Sequence, residues 1–192
     1  MNYSTNLSEV ASLFLPRNQF IFFRVISISR KIKAEYTTNG LEVRMTHKLY
    51  QLDAFTRVPF KGNPAAVCLL AGPQPEEWMQ ALATEMNLSE TAFLLPEDGG
   101  WRLRWFTPAT EVDLCGHATL ASAMVLFELH PSLRTQPIRF YTRSGELRAR
   151  WVDEAVELDF PAMTYKPVSY EPQLADILGF PPINAVFSGD YI

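Results

Sequence analysis

Three segments of the sequence combine turn-forming residues with side chains that can bind a substrate or move a proton; they span residues 61–64, 87–91 and 106–119. The second segment contains Glu90, which lies between a helical pattern and an apolar strand pattern. A carboxylate at the mouth of a buried strand is partly removed from water, which suits it to act as a general acid or base. The alternative is an ordinary loop acid that stays in solvent.

The third segment contains Cys115-Gly116-His117, directly before a long apolar run. A helix that begins here leaves backbone N–H groups free, and such groups can bind a carboxylate. At this position we expect the pKa of the Cys115 thiol to be lowered and His117 to hydrogen-bond a substrate. The alternative is a capped helix with a buried thiol and a core histidine. One Cys and one His without further spaced ligands predict no metal site.

The first segment, Lys61-Gly62-Asn63-Pro64, has the residues of a tight turn. The Asn63 amide offers donors and an acceptor to a ligand, although a simple turn is the alternative. Neither glycine-bearing segment matches a phosphate-binding loop or a dinucleotide fingerprint, so the sequence predicts no phosphate-bearing cofactor. Cys68, within the run AAVCLL, is expected to be a small core residue.

Alternating and helical patterns around these segments predict the elements that position them. Strands are predicted over 48–55, 65–70, 91–95, 102–106, 138–142, 146–152 and 155–160. Helices are predicted over 75–86, 116–129 and 172–178. Because short turns join several neighbouring strands, the patterns indicate an α+β fold with mostly antiparallel pairing rather than a doubly wound parallel sheet.

Composition excludes several classes of function. The 192 residues are 47% hydrophobic and carry a net charge of −4, which is typical of a folded protein without a polycationic surface for nucleic acid. Two cysteines are too few for a disulfide framework and indicate a reducing compartment, so we expect a cytoplasmic protein. Charged residues interrupt the apolar stretch before residue 30, and therefore neither a membrane span nor a secretory signal is predicted.

The charge changes sign along the chain. Residues 1–44 contain six Lys or Arg and three Asp or Glu, whereas the remainder contains eleven and eighteen. We therefore expect 1–44 to be an N-terminal extension outside the main fold, with Met45 as the natural start of the domain. The domain is expected to span 45–165, and 166–192 to form a linking segment and the start of an incomplete second half.

The sequence resembles the PhzF family of phenazine-biosynthesis-like isomerases in four ordered runs over residues 50–160: DAFTRVPFKGNPAAVCLL, MNLSETAFLLP, RWFTPATEVDLCGHATLASA and SGELRAR. It is close to the members described as MAWD-binding-protein-like. The resemblance implies a diaminopimelate epimerase-like fold with two pseudo-symmetric halves, each a mixed sheet wrapped around a central helix. It also implies an active site in the cleft between the halves, no cofactor and a small anionic metabolite as substrate.

The resemblance further implies roles for individual residues. Glu90 matches the glutamate that moves a proton on a cyclohexadiene acid in PhzF, and His117 matches a histidine of the site. Asn63 falls where the wider fold has a substrate-binding asparagine. Substrate is expected to be held by the backbone around the helix start, at Gly116, His117, Ala118 and Thr119. Cys115 occupies the position of a catalytic cysteine in true epimerases of this fold and is expected to be auxiliary.

Three functions remain open from the sequence. The first is a cofactor-independent isomerase with Glu90 as acid and base. The second is a catalytically silent or truncated family member that binds partners, because an acidic motif of the family's second half is absent here. The third, ranked lowest, is a Cys115-dependent epimerase, which would need a second thiol on the opposite face. An apolar surface between the halves would require cover, and a homodimer is one way to provide it.

Overall fold

The computed structural model of the chain describes residues 19–22, 28–38, 41–58, 60–160, 166–168 and 185–187, with single positions at 173, 176 and 179. The chain divides into two compact units, residues 1–160 and 161–192. In the described part of the second unit, strands Lys166–Val168 and Ala185–Phe187 form an antiparallel pair. The candidate residues all belong to the first unit.

The described elements of the first unit are ten strands, two α-helices and one 3₁₀ helix. The strands are β1 (Gln19–Phe22), β2 (Ile28–Thr38), β3 (Leu41–Ala54), β4 (Asn63–Leu69), β5 (Glu90–Glu97), β6 (Gly100–Phe106), β7 (Glu111–Val112), β8 (Ile138–Thr142), β9 (Gly145–Val152) and β10 (Ala155–Asp159). The helices are α1 (Glu76–Met86), α2 (Gly116–Leu129) and the 3₁₀ helix Pro131–Thr135.

The ten strands form one mixed sheet in the order β1-β10-β9-β8-β6-β5-β4-β3-β2, with β7 paired to β6. Two of its pairs, β4 with β5 and β6 with β8, are parallel, and the others are antiparallel. Parallel neighbours need a crossover connection; α1 supplies the first and α2 lies in the second. The predicted α+β class with a mixed, mostly antiparallel sheet around a central helix is confirmed.

The two helices cover opposite faces of the sheet, which explains the uninterrupted apolar run of β4. Ala65 and Val67 belong to the core cluster around α2, whereas Ala66 and Cys68 belong to the cluster around α1. Successive side chains of a strand point to opposite faces. A strand buried on both faces therefore reads as continuous hydrophobic sequence, and Cys68 is the core residue that the sequence predicts.

Helix α2 is the centre of the larger cluster and is buried from Ala118 to Phe127. A helix that is apolar on all sides is expected to be enclosed by other elements. Its two polar interior positions are satisfied locally, because the hydroxyls of Thr119 and Ser122 donate to the carbonyls of Cys115 and Ala118. Burial therefore fixes the axis of α2, and with it the position of the residues at its first turn.

Several predicted elements agree closely with the structure. The α2 bounds are as predicted, and α1 begins one residue later than predicted. The backbones of β1 and β2, both within the predicted extension, pair with β10 and β3; the domain boundaries stay predictions. The helix predicted over 172–178 lies largely outside the described residues. Within those residues, no helix combines the length and apolarity that crossing a membrane requires.

The buried His47 side chain is expected to make the protein's stability depend on pH. Its Nδ1 accepts a hydrogen bond from the Ala71 amide at 3.0 Å, and its ring packs against Trp78 at 5.1 Å between centroids. Burial lowers the pKa of His47 below its ordinary 6.5. The folded state therefore favours the neutral ring. The contribution of His47 to the free energy of unfolding is complete above pH 6.5 and is lost as pH decreases through the lowered pKa.

This dependence can be measured as the melting temperature between pH 8 and pH 5 for the wild type and for His47→Gln, whose amide oxygen can still accept from Ala71. Carboxylates titrate equally in both proteins, so their difference isolates His47. We expect the wild type to lose more stability than His47→Gln as pH falls from about 7. Equal losses would contradict the assignment.

Candidate active site

Glu90 is positioned by the way helix α1 ends. Asn87 adopts a left-handed conformation with φ 50°, and its amide donates to the Ala83 carbonyl, which closes the helix. Asparagine tolerates this conformation better than most residues. Strand β5 begins three residues later at Glu90. Because Ala92 on the same strand packs in the α2 cluster, alternation places Glu90 on the face that α2 covers.

Cys115 and His117 are positioned by the start of α2. Cys115 is the N-cap residue, with extended backbone at φ −147° and no hydrogen bond from its side chain to the cap. The helix therefore begins without the side-chain acceptor that Ser, Thr, Asp or Asn would provide. The Thr119 amide makes the first helical bond, to the Cys115 carbonyl at 3.2 Å. His117 then lies in the first turn, facing the start of β5.

The structure brings Glu90, His117 and Cys115 into one cluster. Glu90 Oε2 lies 3.2 Å from His117 Nε2, and Cys115 Sγ lies 3.4 Å from His117 Nδ1. Ser89 Oγ is 3.1 Å from the same Nε2. One ligand atom from each of Glu90, Cys115 and His117 lies within 4.8 Å of the other two, a spacing that a metal ion could share. The imidazole ring thus connects the carboxylate to the thiol.

The cluster is shielded from solvent but not sealed. The side chains of Glu90 and His117 are 19% and 10% exposed. Burial lowers the pKa of His117, and the negative charge of Glu90 opposes that effect. Although Glu90 Oε2 is close to the ring, it has no hydrogen bond of good geometry and is inaccessible to water. One oxygen of the Glu90 carboxylate is therefore shielded from solvent and lies beside the His117 ring.

The expected lowering of the Cys115 pKa is wrong. The pKa of the thiol is raised to about 12, chiefly by burial; the charge of Glu90 and a hydrogen bond to it also raise the pKa, while the amides of Ala118 and His117 lower it. Cys115 is only 7% exposed. Desolvation of the thiolate raises the pKa by more than the two amides at the helix N-terminus lower it. The thiol is protonated at neutral pH.

The other predicted binding residues lie around this cluster. Gly116, Ala118 and Thr119 share the first turn of α2 with His117, and Ala118 and Thr119 are buried. Asn63 begins β4, the strand beside β5, and Ala65 of β4 is in register with Glu90. By alternation Asn63 is on the same face as Ala65. Their roles in substrate binding stay predictions.

Gly62, directly before Asn63, is required by a close backbone approach. A Cβ at this position would lie 2.2 Å from the Ala54 carbonyl oxygen and 2.6 Å from Thr56. Side-chain rotation cannot relieve a clash with backbone. We therefore expect Gly62→Ala to destabilise the protein by about 1–3 kcal/mol, measured by urea unfolding.

Gly116→Ala is the matched control for this substitution. Its Cβ would meet its nearest neighbour, Phe160, at an ordinary 3.8 Å, and alanine favours helices over glycine. We expect no loss of stability in this variant. If Gly62→Ala were as stable as Gly116→Ala, the close approach would not constrain the turn before Asn63.

Two features of the site were not predicted from sequence. Ser89 contacts the His117 ring, and a serine next to an acid has no sequence signature that would predict this contact. Phe55 lies 6.4 Å from the His117 ring, is substantially exposed and has a positive φ of 65°. A positive φ in a phenylalanine is uncommon and has no sequence signature.

Two surface cavities lie away from the cluster and offer no comparable chemistry. One, of about 390 Å³, is lined by Gly99, Gln136, Pro137, Arg139 and Arg148. The other, of about 600 Å³, is lined by Arg57, Glu128, Arg134, Trp151 and Glu154. Neither lining combines a shielded carboxylate with a histidine whose pKa is shifted, so the Glu90 cluster is the stronger candidate.

Comparison with known proteins places this chain in a family. The model of the PhzC-PhzF family, described as phenazine biosynthesis-like protein, matches residues 52–179. An uncharacterized isomerase of Halalkalibacterium halodurans is 56% identical over 140 residues, which cover 72% of this chain and 53% of the relative. The chain thus spans about half the length of the curated relatives it matches.

Solved structures agree with this result. A PhzF family protein of Enterococcus faecalis is 44% identical with a TM-score of 0.64, over 73% of this chain and 54% of that one. A predicted epimerase of Pseudomonas aeruginosa is 25% identical with a TM-score of 0.54, over 73% and 56%. The epimerase-like architecture implied by the sequence resemblance is therefore confirmed. This chain belongs to the PhzC-PhzF family of phenazine biosynthesis-like proteins.

Proposed function

We propose that this protein catalyses a cofactor-independent isomerisation of a small carboxylic acid, in which Glu90 removes a proton from one carbon and returns it to another. Such a reaction needs one group that serves as base and then as acid within a turnover. The names of relatives such as the isomerase of Halalkalibacterium halodurans support this class of reaction. The substrate and the role of Glu90 are part of the proposal.

One observation carries the proposal: Glu90 Oε2 is inaccessible to water and unpaired by any well-formed hydrogen bond, yet lies 3.2 Å from His117 Nε2. An exposed loop acid would be hydrated, and a structural buried acid would be neutralised. Glu111 shows the second case, because its carboxylate is paired with Arg104 at 2.6 Å and with Arg143. Glu90 resembles neither, which fits a group kept available for proton transfer.

The first turn of α2 supports a carboxylate-bearing substrate. Its amides at 116–118 lie at the positive end of a 14-residue helix without an acidic residue in the first turn. An anion there is favoured by the helix dipole and by the unused N–H groups. The His117 side chain extends from this turn to Glu90. A ring N–H in that position can stabilise the enolate that develops on the substrate carboxylate.

The Cys115-dependent epimerase is less well supported. A thiol with its pKa near 12 is a poor base at neutral pH. Cys68, the other cysteine of the chain, is fully buried in the α1 cluster on the opposite face of the sheet. A two-thiol mechanism would need both sulfurs on one substrate. The silent binding protein remains the competing function, and activity decides between it and the isomerase.

The test is solvent-deuterium incorporation by the purified chain in D₂O, followed by NMR. The panel contains cyclohexadiene carboxylic acids and α-amino acids, each with an activated C–H bond. Incorporation into at least one panel member supports the isomerase. Absence of incorporation together with calorimetric binding of a panel member supports the silent binding protein, and absence of both contradicts a small-acid ligand.

A further inference from the structure

The Glu90–Cys115–His117 cluster has the spacing of a metal site. One ligand atom from each of the three residues lies within 4.8 Å of the other two, and Cys115 Sγ is 3.4 Å from His117 Nδ1. Ligands bound to one tetrahedral zinc at 2.0–2.3 Å lie about 3.3–3.8 Å from each other. A set of thiolate, imidazole and carboxylate ligands favours zinc, whereas magnesium and calcium favour sites made of oxygen ligands alone.

A second observation, at Glu90, supports a cation as the ligand. Glu90 Oε2 is inaccessible and lacks a well-formed hydrogen bond, whereas the buried carboxylate of Glu111 is paired with two arginines. The group beside Glu90 is instead the His117 ring, with Nε2 3.2 Å from Oε2, and no arginine or lysine is paired with Glu90 among the described residues. A shielded carboxylate is costly unless a positive charge reaches it. A bound divalent ion would supply that charge.

Ser89 provides the outer contact that such sites use. Its Oγ lies 3.1 Å from His117 Nε2, where it can accept the ring N–H and leave Nδ1 to face Cys115 Sγ. A hydrogen bond of this kind fixes the tautomer and orientation of a metal-binding histidine.

We propose that Glu90, Cys115 and His117 bind a zinc ion, and that the zinc-bound form is the inhibited form of the enzyme. On binding, the S–H bond of Cys115 breaks, a S–Zn bond forms and the proton passes to solvent, with no change of oxidation state. Three protein ligands leave a fourth position for water or for a substrate carboxylate. The proposed inhibition rests on the proposed function, because zinc would prevent Glu90 from transferring a proton. The proposed zinc binding does not depend on that function.

The binding is tested with cobalt(II) as the probe and the purified chain stripped of metal by a chelator. A thiolate bound to cobalt gives an intense charge-transfer absorption in the near ultraviolet. We expect this band to saturate at one ion per chain, to disappear in Cys115→Ser and to persist in Cys68→Ser, the matched control. No band in the wild type, or a band that survives Cys115→Ser, would overturn the site.

Glu90→Gln provides a variant that keeps the thiol. We expect the cobalt band to remain but zinc affinity, measured by competition against cobalt, to fall at least about tenfold because one ligand is lost. Circular dichroism establishes that each variant is folded before its result is used. Unchanged zinc affinity in folded Glu90→Gln would remove Glu90 from the ligand set and overturn the three-ligand site.

Inhibition is tested separately in the deuterium assay. Zinc at one equivalent is expected to suppress incorporation at least tenfold, and a chelator to restore it. If metal-free protein shows no incorporation, the proposed function fails while the cobalt result stands by itself. If incorporation proceeds and zinc binds without suppressing it, the inhibition is wrong and the binding site remains.

Discussion

Replacing Glu90 by glutamine is expected to reduce solvent-deuterium incorporation by at least about 100-fold, to the background of the uncatalysed exchange. Glutamine has nearly the same shape but can neither accept nor release the proton. Cavity formation therefore does not explain a loss of rate. The measurement is the NMR rate in D₂O on whichever panel acid the wild-type chain exchanges fastest.

A second measurement shows whether the substitution leaves the site assembled. The negative charge of Glu90 raises the pKa of His117 against the effect of burial. Its removal is therefore expected to lower the pKa of His117 further, which NMR titration of the ring detects. A shift in this direction with loss of exchange would place the defect in proton transfer rather than in unfolding.

Glu97→Gln is the matched control, because Glu97 ends the strand that Glu90 begins and is ion-paired with Arg102 at the surface. We expect it to retain the wild-type rate. Retained exchange in Glu90→Gln, combined with loss of exchange in Cys115→Ser, would identify the Cys115 thiol as the base. Retained exchange in both would exclude either residue as the base.

Much of the fold follows from local patterns that the sequence displays openly. The bounds of α2 coincide with an apolar run that begins at Gly116 and ends before Pro131, a residue that cannot continue a helix. Strands β8 to β10 follow from alternation between turns. The two parallel pairings were harder to foresee, since strand order depends on which faces α1 and α2 cover and leaves no mark at a single position.

The candidate site shows where sequence reasoning stops. The motifs of Glu90 and His117 are separated by a hairpin and a loop, and their 3.2 Å contact exists only because β5 and α2 meet at one edge of the core. The raised pKa of the Cys115 thiol is hidden from the sequence for the same reason. Its place at a helix start is visible in the sequence, but the burial that dominates it comes from distant strands. The metal-like spacing likewise joins ligands from two separate motifs.

Replacing Phe127 by alanine is expected to cost about 3–5 kcal/mol, the second largest effect. Phe127 is fully buried in the α2 cluster, and its ring meets Trp151 edge-on with 5.5 Å between centroids. The guanidinium of Arg134 lies 4.1 Å from the centroid of the same indole. Removing the phenyl ring creates a cavity and removes one of the groups that contact the Trp151 indole, another being the guanidinium of Arg134. Domains are stable by only about 5–15 kcal/mol, so a large fraction of the total is lost.

The same substitution separates stability from chemistry. Phe127 lies ten residues along α2 from His117, which is about 15 Å at 1.5 Å per residue. Folded Phe127→Ala should therefore exchange deuterium at the wild-type rate while urea unfolds it at a much lower concentration. Leu129→Ala, on the same helix but 38% exposed, should change stability by no more than about 1 kcal/mol. If Phe127→Ala and Leu129→Ala unfolded at the same urea concentration, burial of the Phe127 ring would not stabilise the fold as expected. If folded Phe127→Ala exchanged deuterium more slowly than the wild type, packing at one end of α2 would affect His117 at the other end.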